Sequence, residues 1–249
     1  MEHIEERAEA TILRVGTSGV NALDLELLTT LRAGCARAAE RGLPVVLTGN
    51  GTVFSAGVDL KRVSEGGAQY SAEFLPALRR TFGQLLGLQV PVVAAVEGHA
   101  IAGGLLLALC CDRRLGAEGP HRLGAPELGV GVPYPVLAFE LLRHAVAPCH
   151  LDALTFGAAL VEPARALEIG LLDELHPAEG LLERALEAAG RLGALPRPTF
   201  QLHKRLLRAP LYAKVAAEAD LDAEITAAWA GEEVLGAIGD YVERTFKKS

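Results

Sequence analysis

Two periods of apolar residues alternate along the first half of the chain. Short apolar runs at Ala10–Val15, Pro44–Thr48 and Pro91–Val96 predict buried strands. Between them, Asp24–Arg41 and Ser71–Leu88 carry apolar residues at helical spacing and predict helices. Strands that alternate with helices at this spacing are typical of an α/β fold with right-handed crossovers.

Turn and cap residues mark the ends of several predicted elements. Asn21 or Asp24 can cap the first helix, and Gly42 can end it. The polar, glycine-rich run Arg62–Ser71 predicts a mobile loop, and Gly103–Cys111 predicts an apolar helix that begins at a glycine pair. Shorter strands are predicted at Phe54–Leu60, Arg113–Ala117, His121–Gly124 and Leu171–Leu175.

From Pro135 onward the pattern is almost wholly helical. The predicted helices are Pro135–Ala147, His150–Phe156, Pro163–Ile169, Leu181–Leu192, Thr199–Arg208, Val215–Ala230 and Glu232–Thr245. We therefore predict an α/β core over residues 1–192 and a helical extension over residues 193–249.

Composition narrows the class of protein. With 249 residues, 50% hydrophobic and 22% charged, the chain can bury a sizeable core and does not resemble a disordered protein. The formal net charge is −7 and there is no long basic run, which argues against a nucleic-acid partner. A phosphorylated ligand remains compatible, because backbone amides at helix starts can hold phosphate.

One segment has the length of a membrane span. Val90–Cys111 is mostly apolar, but Pro91, Glu97 and the Gly103–Gly104 pair lie within it. A central charge and helix breakers make insertion costly, so we expect buried elements joined by a turn and no membrane contact.

The cysteines and the N-terminal residues favour the cytoplasm. The four cysteines, Cys35, Cys110, Cys111 and Cys149, have no metal-ligand spacing and are expected to be buried, reduced thiols. The acidic start MEHIEERAEA resembles neither a secretory signal nor a transit peptide.

Two glycine-containing segments predict a site for a negatively charged oxygen. In FSAGVDL (Phe54–Leu60) a turn at Gly57 can leave the N–H of Val58 without a ladder partner. In GHAIAGG (Gly98–Gly104) a strand gives way to a helix whose first N–H groups have no intrahelical acceptor. Each segment alone more often reflects tight packing. Two such donors aimed at one point form an oxyanion hole.

These segments, in this order, resemble the crotonase superfamily, which includes enoyl-coenzyme A hydratases and isomerases. The similarity covers nearly the whole chain, with Asn21-Ala22-Leu23 near the start. The other matching runs are VVLTGNGTVFSAGVDL, VPVVAAVEGHAIAGGLLLALCCDRR, GAPELGVGV and ALEIGLLDEL. The resemblance implies a spiral core of ββα units with a C-terminal helical extension, an acyl-coenzyme A substrate, and a homotrimer or a hexamer of paired trimers.

The resemblance also implies the roles of individual residues. The N–H groups of Val58 and Gly103 would form the oxyanion hole. Substrate and coenzyme A would contact Ser55, Ala56, Asp59, Leu60, Leu106, Tyr241 and Lys247. Coenzyme A belongs to the substrate, so no separate cofactor and no metal are expected.

The acid–base residues distinguish isomerase from hydratase. Similar hydratases use two glutamates, one three residues past the oxyanion glycine and one in a later turn; here the positions hold Leu106 and Glu127. A single carboxylate suits the transfer of one proton along a substrate, so we favour double-bond isomerisation with Glu127 as acid and base. An apolar surround would raise its pKa towards neutrality. The alternative for Glu127 is a first-turn or capping carboxylate after Pro126.

Two other functions stay open. One is a hydratase that activates water with Glu127, alone or with Glu97. The other is an acyl-coenzyme A binding protein without catalysis, which the absence of a glutamate at Leu106 allows. Asp112 is expected to be structural and paired with Arg113 or Arg114.

Overall fold

The strands of the protein are short and follow one another in pairs. The computed structural model describes residues 3–16 and 19–246. Within them the strands are β1 (Ile4–Glu6), β2 (Thr11–Arg14), β3 (Ala22–Leu23), β4 (Val45–Thr48), β5 (Val53–Ser55), β6 (Gly57–Val58), β7 (Val92–Val96), β8 (His99–Ile101), β9 (Arg113–Ala117), β10 (Leu123–Gly124), β11 (Leu160–Val161) and β12 (Glu174–His176).

Helices separate these pairs and make up the second half of the described chain. They are α1 (Leu25–Arg41), α2 (Leu60–Leu86), α3 (Gly103–Leu109), α4 (Glu127–Val130), α5 (Val136–Ala145), α6 (Pro148–Phe156), α7 (Pro163–Ile169), α8 (Leu181–Gly193), α9 (Arg197–Ala217), α10 (Ala219–Trp229) and α11 (Glu232–Phe246).

A six-stranded sheet in the order β1-β2-β4-β7-β9-β12 lies at the centre of the fold. All neighbours are parallel except β1, which is antiparallel to β2. In register, Val45 lies between Thr11 and Val92. Every residue of β4 and β7 is buried, which explains why both read as unbroken apolar runs.

The chain repeatedly leaves this sheet through a second, shorter strand and then a helix. The units β4–β5, β7–β8 and β9–β10 are followed by α2 (after the short β6), α3 and α4, respectively. The shorter strands form a second sheet, β11-β10-β8-β5, while β3 pairs with β6. The predicted α/β class and its ββα units are confirmed.

Apolar side chains on the two faces of the large sheet enter two cores. One face packs with α1, α2, α3 and α5 into the main core, to which β4 contributes Val45 and Leu47. The other face, with Val46 from the same strand, packs against α8 through Ala185 and Ala189. The period-two alternation of strand side chains therefore sends neighbouring residues to different cores.

The prediction for the first helix is confirmed at both ends. Asp24 is the N-cap and accepts a hydrogen bond from the Leu27 N–H, 2.8 Å away. Gly42 ends the helix in the left-handed conformation, and its N–H donates to the carbonyl of Ala38.

The predicted mobile loop at Arg62–Ser71 is wrong, because these residues belong to α2. Asp59 caps α2 by accepting from the Arg62 N–H, and the helix kinks at Gly67, where φ is 58° and ψ is −146°. α11 packs along α2. This packing stabilises a helix that the glycine-rich composition alone disfavours.

Several other boundaries differ from the prediction. Thr199–Arg208 and Val215–Ala230 are replaced by the longer α9 and the shorter α10, and the strand expected at Leu171–Leu175 is β12, a few residues later. The short strands β1 and β11 were missed. Cys35, Cys110 and Cys111 are buried free thiols, but Cys149 is exposed, contrary to expectation. The predicted domain boundary falls at the end of α8.

In the part of the chain that the structure describes, no helix is both long and apolar enough to cross a membrane.

The close packing of α3 against β5 yields a stability prediction. A methyl group on Gly104 would lie 2.5 Å from the Ser55 carbonyl oxygen, a contact with backbone that cannot rotate away. We expect Gly104→Ala to lower the free energy of unfolding by about 2–3 kcal/mol in urea denaturation. The matched control is Gly190→Ala on α8, where a methyl group meets nothing within 4 Å. It should be neutral or stabilise by up to about 1 kcal/mol; equal effects at both positions would contradict the packing argument.

Candidate active site

Three parallel strands of the second sheet end at the same edge. Ala100 on β8 pairs with Ser55 on β5 and with Leu123 on β10. The segments that follow these strands therefore meet where strand carboxyl ends form a crevice, the usual position of ligands in α/β folds. They carry the predicted residues Val58, Gly103 and Glu127.

The backbone amides of Val58 and Gly103 flank one narrow space. The N–H of Asp59 donates to the Leu23 carbonyl on β3, so strand alternation turns the preceding Val58 N–H away from β3. Gly103 is the first residue of α3, where N–H groups have no intrahelical acceptor. A methyl group on Gly103 would lie 3.7 Å from the Val58 nitrogen, and one on Gly57 would lie 3.1 Å from the Gly103 nitrogen.

The backbone on both sides of this space adopts conformations that side chains disfavour. Gly57 has φ 88°, and a methyl group there would lie 2.7 Å from the Ile101 carbonyl oxygen. Ala102, directly before α3, has φ 51° and ψ −130° although it is not glycine. Such outliers cost of order 1–3 kcal/mol and persist only where surrounding structure imposes them, which is common at functional sites.

Glu127 is a buried carboxyl group at this edge. It is the first residue of α4, only 6% exposed, and within the described residues its Oε2 has no hydrogen-bond partner. Burial raises its pKa to about 7, while its own backbone N–H and the Tyr134 hydroxyl lower it by less. Pro126, not Glu127, is the N-cap, and no side-chain cap hydrogen bond is made. Glu127 therefore occupies the first-turn position that the alternative interpretation expects, but it does not cap the helix.

Residues that the sequence analysis missed hold the Glu127 segment in place. The Tyr134 hydroxyl donates to the Ala125 carbonyl, and the Trp229 Nε1 donates to the Pro133 carbonyl at 2.8 Å. The buried Asp222 carboxylate accepts from the Val136 N–H at 2.9 Å. The helical extension thus anchors the turn behind the carboxyl group. The aromatic residue between Pro133 and Pro135 was the available signal, because aromatics are only 5% of the chain.

The predicted ligand-contacting residues near the first glycine turn differ in accessibility. Ser55 is fully buried; its hydroxyl donates to the Asn21 carbonyl at 2.7 Å and accepts from the Gly57 N–H at 3.2 Å. Its side chain holds the turn, and a contact of Ser55 with substrate stays a prediction. Ala56, Asp59 and Leu60 are partly exposed beside the turn.

Leu106 lies one turn beyond Gly103 on α3 and is 3% exposed within the main core. Its side chain supplies neither a proton donor nor an acceptor. A contact of Leu106 with substrate stays a prediction.

Glu97 lies at the opposite end of the second sheet. It precedes β8, whereas Glu127 follows the parallel β10. Its carboxylate accepts from the Thr48 hydroxyl at 2.5 Å and from the N–H groups of Gly49 and Gly51 at 3.0 and 3.3 Å. These bonds fix the turn after β4. The prediction that Glu97 assists Glu127 is therefore wrong.

The C-terminal helix lies close to the site. α11 packs against both α2 and α4, and Gly131 at the end of α4 faces Ala237. Tyr241 is partly buried on α11, and its contact with a nucleotide stays a prediction. Lys247 lies outside the described residues.

Over residues 3–16 and 19–246, no three or more His, Cys, Asp or Glu side chains are grouped so that they could hold a metal ion. The expected lack of a metal and of a separate cofactor stays a prediction.

The chain matches the family model described as enoyl-CoA hydratase/isomerase over residues 13–246, and it belongs to this family. The resemblance to the crotonase superfamily is thereby confirmed. The chain is an enzyme of this class, whose reactions are isomerisation or hydration of enoyl-CoA thioesters.

Proteins similar to this chain are named as isomerases and as hydratases. The chain is 28% identical to enoyl-CoA delta isomerase 1, mitochondrial, of Homo sapiens, over 87% of this chain and 73% of that protein. It is 30% identical to an enoyl-CoA isomerase/hydratase of Mycosarcoma maydis, over 77% of this chain and 68% of that one. The crystal structure of human mitochondrial delta3-delta2-enoyl-CoA isomerase aligns with a TM-score of 0.92 at 26% identity, covering 99% of this chain and 98% of that one.

The buried carboxyl group predicts a pH-dependent cost to stability. A glutamate with a pKa near 7 in the folded state and 4.5 when unfolded stabilises the fold below pH 4.5; that stability is lost as pH rises through 7. Glu127→Gln removes the loss. We expect the variant to exceed the wild type by up to about 3 kcal/mol at pH 8 and to show no such gain at pH 4. Urea denaturation at both pH values measures this; the exposed Glu187→Gln on α8 is the control. An equal gain at both pH values would show that ionisation of the buried Glu127 carboxyl does not lower the stability of the fold.

The Tyr134 hydroxyl group gives a prediction for the pKa of Glu127. Because this group lowers the pKa of Glu127, Tyr134→Phe should raise that pKa above its value in the wild type. NMR titration of ¹³C-labelled glutamate carboxyls measures it directly. Tyr212→Phe on α9 is the matched control and should leave the titration unchanged. A lower or unaltered pKa in Tyr134→Phe would show that the hydroxyl serves the Ala125 carbonyl alone.

Proposed function

We propose that this protein is an enoyl-CoA isomerase that moves a double bond from the 3 to the 2 position of an acyl-CoA thioester. One observation carries the proposal. A single buried carboxyl group, Glu127, lies at the strand edge where the Val58 and Gly103 amides meet, while the position that would supply a second glutamate is the aliphatic Leu106.

In this proposal the two amides hold the thioester oxygen. Both N–H groups donate to the carbonyl oxygen, and their hydrogen bonds strengthen as negative charge develops on it. Removing one such donor from an oxyanion hole typically costs roughly 2.7–4 kcal/mol of transition-state stabilisation. The α-proton of the thioester becomes acidic enough for a carboxylate to remove.

Glu127 then transfers one proton along the substrate. Its carboxylate takes H⁺ from C2, and the C2–H electron pair forms a dienolate across C2, C3 and C4 whose charge rests on the held oxygen. The protonated Glu127 returns H⁺ to C4, which leaves the double bond between C2 and C3. The transfer is balanced, because the carboxylate is restored and no water is consumed. A pKa near 7 suits a group that must both accept and donate at neutral pH.

Hydration is the second candidate, since relatives carry that activity in their names. It needs water oriented and deprotonated beside C3 while C2 receives a proton. Glu97 is engaged by the turn after β4, so Glu127 would have to perform both tasks alone. The geometry therefore favours isomerisation. The buried, unpartnered Oε2 of Glu127 likewise favours catalysis over ligand binding alone.

The proposal also includes a homo-oligomeric assembly, which is either a trimer or a hexamer. Two large apolar side chains on α9, Leu202 and Leu206, are exposed and would be covered by a second copy. Light scattering would measure the mass in solution. The cytoplasmic location expected from the sequence also stays a prediction.

Deuterium exchange tests the proposed reaction. With 3-enoyl and 2-enoyl thioesters in deuterated water, the wild type should place label at both C2 and C4. Glu127→Gln should slow this exchange by about 10²–10⁴-fold, measured by mass spectrometry and NMR. The control is Glu97→Gln, which should retain exchange once circular dichroism shows that it is folded.

Each alternative gives a different result in the same assay. A 3-hydroxyacyl product with little C4 label would identify a hydratase. Thioester binding without label at either carbon would identify a binding protein. Full exchange in Glu127→Gln would exclude Glu127 as the proton carrier.

A further inference from the structure

A cationic cavity lies far from the candidate active site, at the amino edge of the large sheet. It has a volume of about 360 Å³ and lies where α9 crosses the ends of α3, α5 and α8. Its charged lining is Asp112, Arg113, Arg114, Lys204 and Arg208, with His144 and His203 also present. None of the residues assigned to the thioester site lines it.

The charges in this cavity do not balance. Lys204 and Arg208 are 6% and 7% exposed, and they share one carboxylate, Asp112, at 2.8 and 3.6 Å. The expected pairing of Asp112 with Arg113 or Arg114 is therefore wrong.

The remaining carboxylates are already engaged. Arg114 pairs with Asp173 at 2.7 Å, and Arg113 pairs with Glu174 at 2.7 Å. Four cations thus face three carboxylates. One buried positive charge is in excess, although the chain as a whole carries −7.

Such an excess is costly unless an anion neutralises it. Backbone carbonyls provide part of the compensation, since Arg208 donates to the Cys111 carbonyl at 3.0 Å and Lys204 contacts that of Val90. A residual positive field still reaches His144, whose pKa is lowered by burial and then by Arg208 and Arg114. A buried cation pair that shares one carboxylate fits a carboxylate ligand, which Arg can bind through two parallel hydrogen bonds.

An apolar groove continues from the cationic cavity. A neighbouring cavity of about 340 Å³ shares Leu192 and Phe200 with it. The rest of its wall is mainly aliphatic, glycine and proline, including Leu43, Pro44, Val90, Pro91 and Leu195. Together the two cavities offer a cationic position for an anionic head group and an apolar position for an aliphatic tail.

We propose that this continuous site binds an aliphatic monocarboxylate, with the carboxylate against Arg208 and Lys204 and the hydrocarbon chain in the groove towards Leu195. The site is separate from the thioester site and does not depend on the reaction proposed above.

Octanoate is the probe for the test, by calorimetric titration of the full chain. Octanoate should bind once per subunit, and octanol and acetate, which each lack one half of the ligand, should bind at least about tenfold more weakly. Arg208→Met should weaken octanoate binding by about tenfold or more. The matched control is Arg205→Met, an exposed arginine on the same helix, which should bind as the wild type does.

A second variant guards against loss of folding in Arg208→Met. Leu195 is half exposed on the rim of the groove, so Leu195→Asp should fold and still weaken octanoate binding by placing a negative charge beside the tail. Two results would overturn the proposal. Unchanged octanoate affinity in both variants would place the ligand elsewhere, for example in the proposed thioester site. Absence of octanoate binding to the wild type would also overturn the proposal. If Arg208→Met then changes the mass of the protein in solution, a second copy of the chain covers the site.

Discussion

Close contact between two backbones is the constraint on which this structure depends. β5 and its following turn lie so near β8 and α3 that only glycine fits at Gly57, Gly98 and Gly104. At Gly98 a methyl group would lie 1.9 Å from the Thr52 carbonyl oxygen. This contact holds the backbone at Val58 close to the start of α3, since a methyl group on Gly103 would lie 3.7 Å from the Val58 nitrogen.

The fold also has to bury a carboxyl group, although water solvates an ionised carboxylate better than the protein interior does. Glu127 is buried because α4 is short and enclosed, and the segment behind it is tied down by Trp229 and Asp222 of α10. The free-energy cost of that burial is borne by the rest of the fold. A stable helical extension is thus a condition for a carboxyl group that titrates near neutrality.

The sequence predicted those parts of the fold that local chemistry determines. Asp24 and Gly42 bounded α1, the apolar runs located β4 and β7, and the glycine segments together with Glu127 located the candidate site. It failed where tertiary contacts decide. Arg62–Ser71 is helical because α11 packs along it. Asp222 acts through Val136, a partner distant in sequence, so no local pattern marks it.

In the proposed mechanism the groups that bind the thioester oxygen belong to the main chain, whereas the proton carrier is a side chain on a separate turn. Every amino acid except proline brings the same N–H to position 58 or 103, so substitutions there alter shape without removing the donors. Positions 106 and 127, in contrast, act through their side chains, so a substitution there changes which groups can accept or donate a proton. Under the proposed mechanism, this division would let point substitutions at these two side chains exchange one reaction for another while thioester activation stays unchanged.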